Sequence, residues 1–161
     1  MRTLLVLLIL ALTLPAAAYS QLRAANGTLS IREGRGLVQL DARGSMTGRL
    51  NGRLTVTDPR PFDSKRAVVY GAGKTIYRNA KTTVYQGKNV RFRLGGARFV
   101  IRMEGKAIYL SAIARGTGTL DGLGDPSQNV FYDGVWSLND EPYHSLPDDP
   151  TPFELAAPTT G

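Results

Sequence analysis

The stretch VRFRLGGARFVIRMEGKAIYLS, residues 90–111, decides the fold class, because apolar and polar side chains alternate along it. Successive side chains of a β-strand point to opposite faces, so this alternation indicates strands with one buried face. The dipeptides Gly95-Gly96 and Glu104-Gly105 interrupt the pattern, and glycine accepts the positive φ that two-residue hairpin loops require. We therefore predict two tight hairpins with these facing apolar pairs: Phe92 with Phe99, Ile101 with Ile108, and Phe99 with Leu110.

The opposite face of these predicted strands is polar and rich in arginine. The two loops place Arg93 directly opposite Arg98, and like charges that face each other across strands are destabilising. An anionic partner would relieve that repulsion, because the arginine fork suits phosphate, sulfate or carboxylate. Tyr109 is predicted opposite Val100, where its ring can meet a sugar or the Arg102 guanidinium. The candidate anion-binding residues are Arg91, Arg93, Arg98, Arg102 and Tyr109.

The rest of the chain repeats short alternating segments separated by Gly, Asn and Asp. No segment after the first 18 residues keeps an apolar period of about 3.6 residues for long enough to predict an amphipathic helix. Glycines inside long strands, such as Gly44, Gly48 and Gly116, allow a sheet to bend. We predict an all-β protein, an antiparallel meander that forms a rolled sheet or small β-barrel, with a β-sandwich as the alternative. Strands are expected near residues 28–33, 36–43, 46–57, 67–71, 75–79, 82–86, 89–94, 98–103, 106–120 and 131–138.

The N-terminus has the pattern of a secretory signal peptide. Arg2 precedes an apolar run over residues 4–14, and the small residues after Pro15 match the pattern that signal peptidase recognises. The run is too short to span a bilayer, which needs about 20 residues. We expect cleavage after Ala18 and a secreted or extracytoplasmic mature chain without a membrane span. The expected division is a signal peptide at 1–18, a β domain at 19–138 and an acidic, Pro-rich segment at 139–161.

Composition excludes several classes of function. The 161 residues include no cysteine and one histidine, so disulfides, thiolate metal sites and multi-histidine metal sites are excluded, and no cofactor or metal is predicted. The 20 Lys and Arg exceed the 13 Asp and Glu, which gives a formal net charge of +7. Residues 19–120 hold 19 basic and 5 acidic side chains, whereas residues 121–161 hold 8 acidic and no basic ones. The predicted sheet is therefore basic and its C-terminal end acidic.

The acidic C-terminal segment is rich in proline, which predicts an extended chain without ladder hydrogen bonds. Two arrangements stay open. The segment can bind its own sheet, with Leu146, Phe153 and Leu155 packed on it and carboxylates neutralising arginines. Otherwise it stays free and leaves the basic face open to a partner. The neutralising carboxylates would be Asp140, Glu141, Asp148, Asp149 and Glu154.

The arginine-rich face favours an exported, non-catalytic domain that binds an anionic polymer of the cell envelope, either a polyphosphate or an acidic polysaccharide. Nucleic acid is not expected, because export removes it and no nucleic-acid motif accompanies the basic residues. Two alternatives remain: a secreted carbohydrate-active hydrolase that uses Asp or Glu pairs, and a structural or oligomerising domain. No catalytic residue stands out. The carboxylates that could face a cleft are Asp41, Asp58, Asp63, Glu104, Asp121 and Asp125.

A glycine- and arginine-rich pattern recurs in five segments: Ala42-Arg43-Gly44, Arg91-Phe92-Arg93, Gly95-Gly96-Ala97-Arg98-Phe99, Ala114-Arg115-Gly116 and Asp133-Gly134-Val135-Trp136-Ser137-Leu138. In these segments the chain resembles small exported β-rich proteins of unknown function from high-GC Gram-positive bacteria. The resemblance implies one whole-domain unit and an exported location, and it brings no activity with it.

Overall fold

The structure is a computed structural model that describes residues 26–64, 66–124 and 133–158. Within these residues the regular structure is all strand, which confirms the predicted all-β class, and no helix there is long and apolar enough to cross a membrane. The predicted signal peptide lies outside the described residues. The strands are β1 (Gly27–Thr57), β2 (Val68–Tyr70), β3 (Lys74–Tyr77), β4 (Thr82–Gly122), β5 (Val135–Leu138), β6 (His144–Ser145) and β7 (Thr151–Leu155).

Two very long strands, β1 and β4, make up most of the sheet, and each pairs with the other along both of its edges. Leu40 of β1 lies between Ile101 and Gly118 of β4, and Ile101 in turn lies between Leu40 and Val56. Double pairing requires the antiparallel pair to coil round itself, with a turn of 16 residues along β1 and 17 along β4 at these positions. The short strands line the outer edges, and the sheet does not close into a barrel. Of the predicted forms, the rolled sheet describes this coil and the closed barrel does not.

A row of glycines marks the line along which the sheet folds sharply. Gly122, Gly36, Gly105, Gly52 and Gly87 are successive neighbours across five strand segments. Gly36, Gly52 and Gly105 have φ values of 125°, 150° and 144°, a conformation that residues with a Cβ rarely adopt. The backbones also approach closely, since a Cβ on Gly52 would lie 3.0 Å from the Cα of Gly105. Because no side chains stand along this glycine row, the sheet can fold over on itself.

A second row of small residues crosses the sheet about half a turn away. Gly27, Ala114, Gly44 and Ala97 are successive neighbours there. Both long strands therefore pass alternately from one layer of the folded sheet to the other, once at each row. The layer that carries the candidate site, called the site layer below, consists in spatial order of residues 28–32, 109–113, 45–49 and 91–94, followed by β2.

The inner face of the coiled sheet forms one hydrophobic core. Both long strands contribute to it, and burial of apolar area is the main source of stability in such a fold. The outer face stays polar, as expected for an antiparallel sheet with one solvated side. The largest side chains that are almost fully buried include Phe99, Leu40, Met46, Leu54, Ile101 and Met103.

The two predicted hairpins are wrong, because β4 runs through both dipeptides without reversing. At Gly95-Gly96 two residues of β4 lie opposite the single residue Ser45 of β1, which is a β-bulge. Gly96 has φ 73°, and one common kind of bulge places glycine in this left-handed region. Glu104-Gly105 lies inside the ladder, and Gly105 belongs to the glycine row. A bulge bends and twists its strand, so these glycines turn the chain into the next layer.

The three predicted apolar pairs are therefore not formed. Phe92, for example, lies between Gly48 and Val69, so both of its edges are occupied. The predicted faces are nevertheless correct, because a two-residue loop and a two-for-one bulge shift the alternation in the same way. The whole predicted apolar face is at most 4% exposed, namely Phe92, Phe99, Ile101, Ile108 and Leu110.

The C-terminal segment belongs to the sheet, which corrects the prediction of an extended chain without ladder hydrogen bonds. β7 pairs with residues 116–120 of β4, and β6 pairs with β5. β7 is an edge strand, where the missing N–H of Pro152 is tolerated. Leu146 and Leu155 are buried in the core, and Phe153 packs against it.

Candidate functional site

The outer face of the site layer carries a row of arginine and tyrosine side chains across the strands. Arg49 of β1 lies between Tyr109 and Arg91 of β4, and Tyr70 of β2 lies beyond Arg91. Arg32 stands at the other end, on the strand beyond Tyr109. Neighbouring strands are about 4.8 Å apart, so the five positions span about 19 Å. The row therefore crosses the whole width of the layer.

Two of these arginines stack on tyrosine rings. The Cζ atom of Arg49 lies 4.1 Å from the ring centroid of Tyr109, and that of Arg32 lies 4.5 Å from the centroid of Tyr143. A cation–π contact at an exposed site contributes about 0.5–1 kcal/mol. Stacking uses the face of the guanidinium group and leaves its N–H edges available, so both arginines are held ready to donate hydrogen bonds.

A row of hydroxyl groups runs beside the arginine row, two residues away along each strand. Ser30, Ser111 and Thr47 are successive neighbours, and Arg93 follows Thr47. Two residues of a strand span about 7 Å, which sets the distance between the rows. The hydroxyls of Ser30 and Tyr143 are hydrogen-bonded at 3.0 Å. In the described part of the chain, the hydroxyls of Thr47 and Ser111 have no hydrogen-bond partner.

The two rows line an open groove of about 500 Å³, which we call the arginine groove. Arg91 donates a hydrogen bond from Nε to Oδ1 of Asn89 at 3.2 Å, and the Tyr109 hydroxyl donates to Glu33 at 3.4 Å. Among the described residues, no arginine of the groove forms an ion pair with a carboxylate. The polar lining consists of Ser30, Arg32, Thr47, Arg49, Arg91, Tyr109 and Ser111.

The structure brings together only part of the predicted site. Arg91 and Tyr109 line the arginine groove. Arg93 lies at its border, on the outer face between Thr47 and Val68. The other two predicted arginines lie in the second layer of the sheet.

Arg98 does not face Arg93, because the bulge at the preceding glycines carries it into the other layer. Its strand neighbour is Arg43, which has Arg115 on its other side, so facing arginines occur at a different place from the one predicted. Arg98 donates from Nε and Nη2 to the two carboxylate oxygens of Asp41 at 2.7 and 2.6 Å. The hydrogen bond from Arg98 lowers the pKa of Asp41, and partial burial opposes this shift only in part. The same bond raises the pKa of Arg98.

Arg102 is held by a carboxylate and does not stack on Tyr109. Its Nη2 lies 2.6 Å from Oε1 of Glu104, and Nη1 of Arg53 lies 3.7 Å from the other oxygen. The predicted cation–π pair between Tyr109 and Arg102 is therefore wrong, since the cation over that ring is Arg49.

Sequence reasoning missed Arg32 and Arg49 as members of the site. The alternation within residues 46–57 does place Arg49 on the polar face. Nothing in the sequence, however, shows that this segment lies between Tyr109 and Arg91, because that neighbourhood depends on how β1 and β4 coil.

The acidic C-terminal segment leaves the arginine groove open except at one end. Tyr143 lies over Arg32 and beside Ser30 at that end, whereas Arg91 and Arg93 at the other end are exposed. Within the described residues, none of the segment's carboxylates forms an ion pair with an arginine. Its apolar side chains, not its charges, hold the segment on the sheet.

The carboxylates expected at a cleft are dispersed. The Asp58 Oδ1 atom accepts a hydrogen bond from the backbone N–H of Arg60 at 2.8 Å, which is turn chemistry. Asp121 lines a second cleft of about 730 Å³ together with Asp148, and Asp125 lies outside the described residues. In the part of the chain with known placement, no three acidic or histidine side chains gather as metal ligands.

The arginine groove is thus defined by its own geometry: two polar rows across four strand segments, with arginines that have no acidic partner nearby. Comparison of the chain with protein-family models, with curated proteins and with solved structures finds no match.

Proposed function

We propose that this protein binds an anionic polymer of the cell envelope along the arginine groove. The observation that carries the proposal is the row of Arg32, Arg49 and Arg91, which has no carboxylate partner among the described residues. Arginines on neighbouring strands repel each other. A polyanion along the row would remove that repulsion and accept charge-assisted hydrogen bonds.

The shape of the groove supports a polymer as the ligand. The row extends over about 19 Å of open sheet surface, because strands repeat every 4.8 Å or so. A single phosphate or sulfate ion would contact one or two arginines and leave the others unneutralised. A chain with several anionic groups can neutralise them together, so its binding should weaken strongly as salt is added.

The cellular setting of the proposal rests on the N-terminal sequence. The basic residue, apolar run and small residues of positions 1–18 are the pattern of an export signal. An exported protein meets the anionic polymers of the envelope and little nucleic acid.

The test is a double substitution, Arg49→Gln with Arg91→Gln, compared with a control of equal charge change, Arg78→Gln with Lys81→Gln. The control residues are exposed on the turn between β3 and β4, outside the groove. Hydrogen bonds to charged groups contribute about 1.5–3 kcal/mol each. The loss of two should therefore weaken binding of a polyanion at least about tenfold and lower the salt concentration at which the protein leaves a sulfonate resin.

The control distinguishes a defined site from general basicity. If both double variants leave the resin at the same salt concentration, net charge alone accounts for retention and the groove is not the contact surface. Urea midpoints of both variants should match that of the wild type, because all four side chains are exposed or half-exposed on the surface.

The competing proposal is a hydrolase that uses Asp121 and Asp148. Both line the second cleft, and glycoside hydrolysis needs a pair of carboxyl groups on opposite sides of the scissile bond. Release of reducing sugar from envelope polysaccharide, abolished by Asp121→Asn and by Asp148→Asn, would favour it. An oligomerising domain would need a large apolar patch, whereas exposed Phe62, Tyr77 and Ile113 lie on separate parts of the described chain.

A further inference from the structure

We infer that the arginine groove recognises an acidic glycan, a sugar chain with carboxylate or sulfate groups, and not a bare polyphosphate. This inference rests on the proposed function and narrows it to one class of ligand. Three features of the groove carry it: the hydroxyl row, the tyrosine rings and the distance between the two rows.

The hydroxyl row supplies hydrogen-bonding capacity that a polyphosphate cannot use fully. The hydroxyls of Thr47 and Ser111 face each other on neighbouring strands, both are exposed, and neither has a partner among the described residues. Each is one donor and an acceptor. Phosphate oxygens on a polyphosphate chain only accept, whereas sugar hydroxyls both donate and accept. A glycan can therefore satisfy the whole row.

The tyrosine rings supply apolar surface at intervals along the groove. Tyr70 stands at one end, 63% exposed and next to Arg91, and Tyr143 stands at the other end, 42% exposed. Tyr109 lies between them under Arg49. An aromatic ring offers a large, rigid contact surface with a polar tip, which suits the apolar C–H face of a sugar ring. A polyphosphate has no apolar face to place on it.

The arrangement of the two rows matches an asymmetric chain. The cationic row and the hydroxyl row run parallel, about 7 Å apart, and both cross the strands. A glycan that lies between them can turn its anionic groups toward Arg49 and Arg91 and its hydroxyls toward Thr47 and Ser111. A symmetrical polyanion would be served equally well by arginines on both sides, and only Arg93 stands at the far end of the hydroxyl row.

The experiment is a titration with two probes of equal total charge, an oligogalacturonate and a linear polyphosphate, monitored by calorimetry at fixed salt. The variant is Thr47→Val with Ser111→Ala, and the control is Ser45→Ala with Thr117→Val, which removes two exposed strand hydroxyls outside the groove. We expect the wild type to prefer the oligogalacturonate. The variant should lose about tenfold in affinity for it, as for two neutral hydrogen bonds, and bind polyphosphate within twofold of the wild type.

Each other outcome overturns the inference in a distinguishable way. Equal wild-type affinity for both probes, or an unchanged affinity of the variant for the oligogalacturonate, refutes glycan recognition and leaves the proposed function standing. Weak binding of both probes, unaffected by Arg49→Gln with Arg91→Gln, refutes the proposed function and this inference together. A separate substitution, Tyr70→Ala, should lower affinity for the oligogalacturonate alone, and an equal loss for both probes contradicts the stacking role.

Discussion

Replacing Gly52 by alanine tests whether the glycine row is what allows the sheet to fold over. Gly52 has φ 150°, and residues with a Cβ in such a region lose about 1–3 kcal/mol. The added Cβ would also lie 3.0 Å from the Cα of Gly105 and 3.1 Å from the carbonyl carbon of Glu104. Both neighbours are backbone atoms fixed in the ladder, and overpacking of this kind loses about 1–3 kcal/mol more. We expect a total loss of about 2–6 kcal/mol, a large share of the stability of an ordinary domain.

The assay is urea unfolding followed by the fluorescence of Trp136, the sole tryptophan, whose ring packs against Phe153. The control is Gly95→Ala, because no heavy atom lies within 4 Å of a Cβ built there and its φ is not positive. The control should unfold within about 1 kcal/mol of the wild type. Equal midpoints for Gly52→Ala and Gly95→Ala would refute the argument that the close approach along the row requires glycine.

Two further predictions concern pH and the C-terminal segment. The pKa of Asp41 is lowered by its hydrogen bond from Arg98, so the pair stabilises the fold at neutral pH and this contribution is lost as the pH falls below about 4. Asp41→Asn should therefore lose less than about 1 kcal/mol at pH 7, as for an exposed pair, and show a shallower decline of the urea midpoint in acid. Leu155→Ala should lose about 2–5 kcal/mol, because Leu155 is fully buried, whereas exposed Glu154→Ala should change stability by no more than about 0.5 kcal/mol. Equal thermal midpoints for that pair would mean that β7 does not seal the core.

The faces of the sheet were predictable from the sequence, because alternation is a local property. Leu50, Leu54 and Val56 are buried on one side of β1, as their spacing indicates. The same reasoning placed Arg91 and Tyr109 on the outer face, where they are found.

The strand partners were not predictable, because a glycine dipeptide has two uses. Gly95-Gly96 fits a hairpin loop and a bulge equally well, and both put Leu94 and Ala97 on the same side. Only the position of β1 decides between them, since the bulge needs Ser45 opposite it. The hairpin prediction thus failed on contacts between segments far apart in sequence.

The candidate site was half predictable for the same reason. The row depends on Arg49 lying between Tyr109 and Arg91, which are separated by 18 residues in β4 and brought to either side of β1 by one turn of the coil. A pattern of residues within one segment cannot report that neighbourhood. It also cannot report that Arg98 would find Asp41, 57 residues earlier in the chain.

The glycine row gives this fold a natural unit of growth. Each turn of the coil takes 16 residues from β1 and 17 from β4 between equivalent positions, here Leu40 to Val56 and Ile101 to Gly118. An extra turn inserted in both strands would add two strand segments, about 10 Å, to each layer without disturbing the end strands. The outer groove would lengthen by the same step, so the number of turns acts as a ruler for the length of polymer that one molecule can hold.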